Sequence, residues 1–470
     1  MRIRLPRLFR RVEEEGPRRL PPRIPDPGER RGGGYPVGPY YVEIRDGKYL
    51  VWDVPMTEEE LRDAALRIER HMARVYETVE EALEGASPAV KRVFEREVWS
   101  SRGPAPGYSI LEPLIMDDGV IDVFITYQRG DREAIVSVVH KDHGYLTCNI
   151  RPPARWVDRF LEKAATANGK SVNRSRPYAS FIDLRTGHRI SGMIATEVSV
   201  YGGVLVIRKQ PKRGWSLVTQ ILAGTLTPEE AGILAAAVKA KVAILVLGEM
   251  MSGKTTMISA LGTAIPPWAR VVTIEDTPEI MLPVPFWRRT ASRETATEWG
   301  MVTYFDLVKL ALRLSADYVI VGEIRGEEAR AWAQAVMLGH GGLTSFHAAG
   351  VEEAAERLRQ PPISVAPEAV RAIRLAVLMR PVRSEGRLRR VAELYTFPDG
   401  KPLFVEKGGK PTPVGDPIKT LERAGILSAM ALRPEIGDPL EEIKDMTEKL
   451  RRLAEEGIDD QAEVNRALYS

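Results

Sequence analysis

Cysteine is almost missing from this chain: Cys148 stands alone among 470 residues. That excludes an intrachain disulfide framework and any tetracysteine zinc site, so no zinc is expected. An excess of one charge is also lacking. Against 67 Lys and Arg stand 64 Asp and Glu, a formal net charge of +3, whereas a dedicated nucleic-acid binder shows a basic imbalance or stripe. No apolar run reaches the length of a membrane span, and arginines interrupt the N-terminus where a signal peptide needs an apolar core. The expectation is a cytoplasmic protein that binds no nucleic acid. What remains, 44% hydrophobic and 28% charged residues, is the composition of a soluble globular chain of about two to four domains.

The most informative stretch is Gly248-Glu249-Met250-Met251-Ser252-Gly253-Lys254-Thr255-Thr256. Its spacing, G-x-x-x-x-G-K-[ST], is that of a phosphate-binding loop. Glycines permit backbone angles closed to other residues, so successive amides can form an anion-binding nest. A helix that follows aims its positive end at the same phosphates. Lys254 is then expected on β- and γ-phosphate oxygens, and the Thr255 hydroxyl on Mg²⁺. Context supports the motif. Val242 to Leu247 is a continuous apolar run of the kind that forms a buried parallel strand, and Met257, Ile258, Ala260 and Leu261 follow at helical positions.

Around this stretch the chain divides by composition. Residues 1–34, rich in Arg, Pro and Gly, read as a basic flexible tail. The apolar Ile3, Leu5, Leu8, Phe9 and Val12 among its arginines also suit contact with an acidic membrane surface or partner. Residues 35–105 form a small N-terminal domain, with a hairpin at 40–52 and a helix opened by the capping box Thr57 to Glu60 and carried on to Val79. Gly103 to Gly107 marks its boundary. Residues 108–209 read as an α/β lobe, with strands at 120–125, 134–139 and 204–207 and a helix at 155–167. His140 and His143 lie close together there, as a polar turn or, with further ligands, a metal site. Residues 210–214 are a basic linker. From 215 to 470 strands and helices alternate, at 242–247, 271–274, 318–321 and 343–346 against 254–264, 303–314, 326–338 and 351–359. That is the pattern of a parallel sheet covered on both faces, with ligands at the carboxyl ends of its strands. From about 395 the chain reads as a C-terminal helical extension.

Three polar clusters follow those strands. Glu275 and Asp276 suit Mg²⁺ second-shell or water-positioning roles. Glu323 is the candidate to orient or deprotonate an attacking water, and to reach Mg²⁺ through a water. His347, after the glycines of 339–342, is placed to sense a γ-phosphate or serves as a structural histidine.

The ordered series GEMMSGKTT, VVTIEDTPEI, VGEIRG and GHGGLTSFHA resembles the Walker A, Asp box, Walker B and His box of the type II/type IV secretion ATPase superfamily. These are hexameric motors of secretion, pilus assembly and retraction, and the archaellum. The resemblance spans about residues 108–395, and Leu111 to Leu114, Val139 to Leu146 and Phe286 to Arg293 resemble its archaeal branch. It implies an α/β fold: a RecA-like P-loop NTPase core, a PAS-like α/β N-terminal lobe and, here, an additional small N-terminal domain. It also implies ATP and Mg²⁺ as ligands and a homohexamer. The ring would work on a polytopic membrane platform protein, peripherally bound at the inner face of the cytoplasmic membrane. By the same resemblance Arg293 or Arg313 would act as an arginine finger, in cis or in trans, and Arg208 would contact phosphate; each reads equally as a surface salt bridge. Gly322 stands where a Walker B strand usually carries an aspartate, although glycine there also fits the pattern of the active family; Ser315-Ala316 stands where the family commonly has Arg-Pro. The retraction-motor signature is not evident in Glu368 to Met379, which favours assembly or secretion. Two other readings remain open, a RecA-like nucleic-acid-stimulated translocase and a non-hydrolysing nucleotide-gated scaffold.

Overall fold

In the computed structural model, Asp46 (φ 52°) and Gly47 (φ 69°) close the first hairpin with the left-handed pair that suits strand twist. The structure describes residues 21, 23–26, 28–53, 55–72, 79–102, 107–210, 214–250, 252–276, 278–293, 301–384 and 387–470. It divides into two units, Met1–Gln210 and Pro211–Ser470.

The first unit is built on one sheet of nine strands: β1 (Tyr35–Val37), β2 (Tyr40–Arg45), β3 (Lys48–Trp52), β4 (Val120–Gln128), β5 (Ile135–His140), β6 (Gly144–Cys148), β7 (Tyr178–Ile182), β8 (Arg189–Met193) and β9 (Gly202–Arg208). Their order is 1-2-3-6-5-4-9-8-7. The helix Ala154–Ala167 buries Val157, Phe160, Leu161, Ala164 and Ala165 at helical spacing in the same core as Val123 and Ile125 of β4. The hairpin expected in a separate domain is part of this sheet. β3 runs parallel to β6, with Tyr49 opposite Cys148, so hairpin and lobe share one core. The expected tail is corrected in part as well. Ile24 is buried, Trp52 Nε1 donates to Gly28 O at 2.9 Å, and Asn149 Nδ2 donates to Pro25 O at 2.7 Å. Hydrogen bonds and one apolar anchor thus lay that stretch on the sheet. The capping box forms, Thr57 N to Glu60 Oε2 at 2.9 Å and Glu60 N to Thr57 Oγ1 at 3.2 Å. The helix it opens is described over Glu58–Met72 and a helix again over Val79–Leu83, and residues 73–78 lie outside the described residues. The arginine-rich opening, most of the 103–107 boundary, linker residues 211–213 and Met251 lie outside the described residues.

The second unit has a second sheet of nine strands: β10 (Ala243–Leu247), β11 (Val271–Glu275), β12 (Trp287–Ala291), β13 (Tyr318–Val321), β14 (Gly341–Phe346), β15 (Ile373–Ser384), β16 (Arg387–Thr396), β17 (Pro402–Lys407) and β18 (Lys410–Pro413), in the order 12-11-13-14-10-15-16-17-18. The first six in that order are parallel, and the last three join antiparallel. The alternation of side chains along a strand shows in β10. Ile244 and Val246 enter one core, and Ala243, Leu245 and Leu247 enter the other. Helices Pro228–Lys239, Lys254–Leu261, Pro439–Glu455 and Gln461–Leu468 cover the first face, and Tyr304–Arg313, Glu328–Met337 and Val351–Arg359 the second. Burying each Leu, Ile or Val contributes about 1.5–3 kcal/mol, which explains why these strands read as unbroken apolar runs.

After 395 the chain adds two strands before the expected helices, which run from Pro417–Arg423 through Pro439–Glu455 to Gln461–Leu468. Its Gly/Pro/Lys-rich segment forms β17 and β18, because Gly408 (φ 62°) and Gly409 (φ 81°) make a hairpin turn. The helix Pro439–Glu455 lies against Pro228–Lys239, with Lys239 Nζ 2.8 Å from both Glu442 oxygens. A Cβ on Gly232 would fall 2.8 Å from Thr447 Cβ and 2.9 Å from its Cα. These helices meet backbone to backbone, so the C-terminal segment belongs to the core.

Candidate functional site

Strand register sets the geometry. Leu247 of β10 pairs with Phe346 of β14 and Leu378 of β15. Gly248, His347 and Met379 therefore leave the sheet at one level. Val321 of β13 pairs with Thr344 and with Ile274, which brings Gly322, Glu323, Glu275 and Asp276 to the same carboxyl edge. The structure thus gathers the four motifs at one end of adjacent strands.

The loop between β10 and the helix Lys254–Leu261 takes the conformation its glycines allow. Gly248 has φ 146° and Gly253 φ 97°. A Cβ at Gly248 would stand 2.5 Å from Ser252 Oγ and 3.0 Å from Met379 O; one at Gly253 would stand 3.1 Å from Arg390 Cδ. Lys254 Nζ lies over the loop and donates to Gly248 O at 3.0 Å and Glu249 O at 2.8 Å. Burial depresses its pKa, the Glu323 carboxylate opposes that shift, and Arg325 adds to it. Lys254, Glu323 and Arg325 are therefore one electrostatic group. Ser252 is buried, and its Oγ has no partner among the described residues. A left-handed glycine at the helix start, a buried ammonium and an orphaned hydroxyl are donors of the kind a phosphate uses. Thr255 and Thr256, partly exposed in the first turn, flank them.

Glu323 accepts from Arg325 Nη2 at 2.5 Å. Its side chain is 22% exposed against 78% for the arginine, so the carboxylate is held from outside and can still reach water. Glu275 is held from within. Its Oε1 accepts from the amides of Glu279 and Ile280 at 2.7 and 2.8 Å, and its Oε2 lies 3.7 Å from Arg289 Nε. Burial raises its pKa to about 7, against the two amides and Arg289. Glu275 therefore organises the turn after β11, and Asp276 is exposed beside it. Tyr304, whose pKa burial and the charges of Asp276 and Glu275 raise, joins this group. So does Arg325, which feels both Tyr304 and Asp276.

Of the remaining candidates, His347 and Arg293 leave the sheet at the same carboxyl edge, and the others lie elsewhere. His347 is half-buried, its carbonyl accepts from Arg357, and its ring makes no hydrogen bond among the described residues. Arg293 is exposed beyond β12, its backbone paired with Val302 in both directions at 2.9 Å. Arg313 ends the helix Tyr304–Arg313, which leads into the start of β13 and so to the sheet edge opposite the loop. Arg208 belongs to the first unit, where Nε and Nη2 meet Asp122 at 3.0 and 3.3 Å. His140 and His143 stack with ring centroids 5.0 Å apart. His140 is buried near the Tyr35 hydroxyl, and no metal-binding cluster exists among the described residues. Arg325, Tyr304 and Arg289 escaped sequence reasoning. Arg325 was visible in VGEIRG, but Tyr304 and Arg289 come to the site only through packing.

A parallel sheet covered on both faces, with a glycine-rich loop and lysine at the carboxyl end of a central strand, defines a P-loop NTPase fold. Residues 113–457 match the family described as Type II/IV secretion system protein, and the chain belongs to that family. An uncharacterized protein of Methanocaldococcus jannaschii is 34% identical over 294 residues, 61% of this chain and 52% of that protein. A second from the same organism is 41% identical over 143 residues, 30% of this chain and 53% of that protein. The chain thus spans about half the length of these two curated relatives. The type IV secretion system protein PtlH of Bordetella pertussis is 33% identical over 281 residues, 52% of this chain and 82% of that protein. The structure of the ATPase DotB of Legionella pneumophila superposes with a TM-score of 0.45 at 18% identity, covering 77% of this chain and 94% of that one.

Proposed function

We propose that this chain is a Mg²⁺-dependent ATP hydrolase. It works as a homohexamer at the inner face of the cytoplasmic membrane and powers secretion or the assembly of a pilus- or archaellum-like filament through a polytopic platform protein. The observation that carries this reading is the electrostatic group of Lys254, Glu323 and Arg325 at one level of one parallel sheet. Family membership and the type IV secretion role in the name of PtlH support the pathway.

Each residue has a role that follows from its setting. Lys254 Nζ exchanges two carbonyl acceptors for phosphate oxygens, a stronger charge-assisted bond. The backbone of Gly248, Ser252 and Gly253 and the first turn at Thr255 and Thr256 wrap the same phosphates. Glu323 takes a proton from the attacking water, and Arg325 fixes its orientation. Asp276 and Glu275 hold the water network and the turn beneath it, and His347 stands where it meets a γ-phosphate. Arg293 or Arg313 supplies charge as an arginine finger, in cis or from a neighbouring subunit. Thr255 and, through water, Glu323 would hold Mg²⁺, which would supply charge neutralisation at the phosphate oxygens.

Phosphate release from Mg²⁺ and ATP, measured on wild type and Glu323→Gln, tests the reading. The variant should bind ATP and turn over at least about a hundredfold more slowly. Equal turnover removes Glu323 from the chemistry, and no turnover by folded wild type removes the hydrolase. Light scattering with nucleotide should give six protomers; a monomer at all concentrations rejects the ring.

A further inference from the structure

We propose that the second unit carries a pocket for a soluble phosphate-bearing anion at the sheet edge opposite the phosphate loop. A cavity of about 100 Å³ opens there between Arg371, Arg374, Thr396, Phe397, Asp399 and Ile426. That is room for a phosphate group rather than a single water. Arg371 lies in the short helix before β15, Arg374 is the second residue of β15, and Thr396 ends β16.

The walls are fixed by hydrogen bonds. Phe397 N donates to Arg374 O at 2.8 Å, Lys401 N to Thr396 Oγ1 at 3.1 Å, and Gly400 N to Thr396 O at 3.1 Å. Arg374 is half-buried, and its guanidinium has no ion-pair or hydrogen-bond partner among the described residues. A partly desolvated charge without a counter-ion costs free energy that an anion would offset. Among the described residues Arg371 meets only Glu368, at 3.3 Å, in a pair 63% and 65% exposed, and such pairs hold their partners weakly. Both guanidiniums are therefore free to turn to a common ligand, and their planar forks match phosphate oxygens. Two arginines against the exposed Asp399 leave the lining net positive.

The pocket also has a line to the loop. β15 begins beside it and runs parallel to β10, and the carbonyl of Met379 on the same strand lies 3.0 Å from where a Cβ on Gly248 would stand. The proposal does not depend on hydrolysis.

Calorimetry with inorganic phosphate tests it on the full chain carrying Lys254→Ala, which disables the loop's own phosphate site. One saturable site per chain is expected. Adding Arg374→Gln should weaken it at least tenfold, adding Arg374→Lys should weaken it less, and circular dichroism should be unchanged throughout. Acetate in place of phosphate should bind at least tenfold more weakly. Absence of a saturable site, or equal binding with Arg374→Gln, overturns the proposal. Displacement of phosphate by phosphatidic acid vesicles overturns the soluble anion and assigns the pocket to a lipid headgroup. Should Lys254→Ala fail to fold, Arg374→Gln in the otherwise wild-type chain should remove one phosphate site, and an unchanged site count rejects the pocket.

Discussion

A Cβ built on Gly322 would stand 3.2 Å from Cγ of Glu275. The two are neighbours because β11 and β13 run in parallel with Ile274 opposite Val321, and Glu275 directs its carboxylate under the following turn. An aspartate at 322 would press a second carboxylate against a side chain already held by two amides. Gly322→Asp should therefore cost about 1–3 kcal/mol by overpacking. An unchanged urea midpoint would show that Glu275 yields freely.

The same carboxyl gives a pH signature. Its folded pKa of about 7 lies above the ordinary 4.5, so the folded state holds the proton more tightly. That stabilisation is complete below the unfolded value and is lost as pH rises through about 7, up to about 3 kcal/mol in all. Thermal melts of wild type should fall relative to Glu275→Gln between pH 4.5 and neutrality. Parallel curves would contradict this.

Lys254→Ala should separate binding from folding. Among the described residues the amine bonds only two carbonyls of its own loop, so its loss should shift Tm by a few degrees at most. Affinity for ATP should drop by about a hundredfold or more, since a charge-assisted bond to each of two phosphates is lost. Titration of a fluorescent ATP analogue reads this, and a Tm that collapses with affinity would give the lysine a structural role instead.

Gly232→Ala tests the place of the C-terminal helix. The added methyl meets the Thr447 backbone at 2.9 Å, and the helices must part. A loss of about 2–3 kcal/mol in chemical denaturation is expected. Tolerance of the methyl would mean that Pro439–Glu455 docks loosely.

The four strands of the motif series were legible because each is an apolar run buried on both faces, and their helices because polar positions recur every third or fourth residue. Other strands were hidden for physical reasons. β15 reads Ile373-Arg374-Leu375-Ala376-Val377-Leu378-Met379, and the helical residues Pro367–Ala372 just before it mask its start. β7 and β8 contribute little apolar surface and exist through pairing, β8 with β9 and β7 with β8. At the site, residue types and spacing located Lys254, Glu323 and Asp276. They left open the division of labour between the paired acids, because burial and the two amides that bind Glu275 come from the turn beyond it. Nor did spacing reveal that Arg313 sits at the far edge.

The even and odd residues of β10 belong to two separate interiors, and Gly248 follows directly where that strand leaves both. The phosphate loop is thus clamped like a blade between two cushions. A methyl group removed from either cushion, many residues away in sequence, should loosen the grip on nucleotide at temperatures where the fold itself still survives.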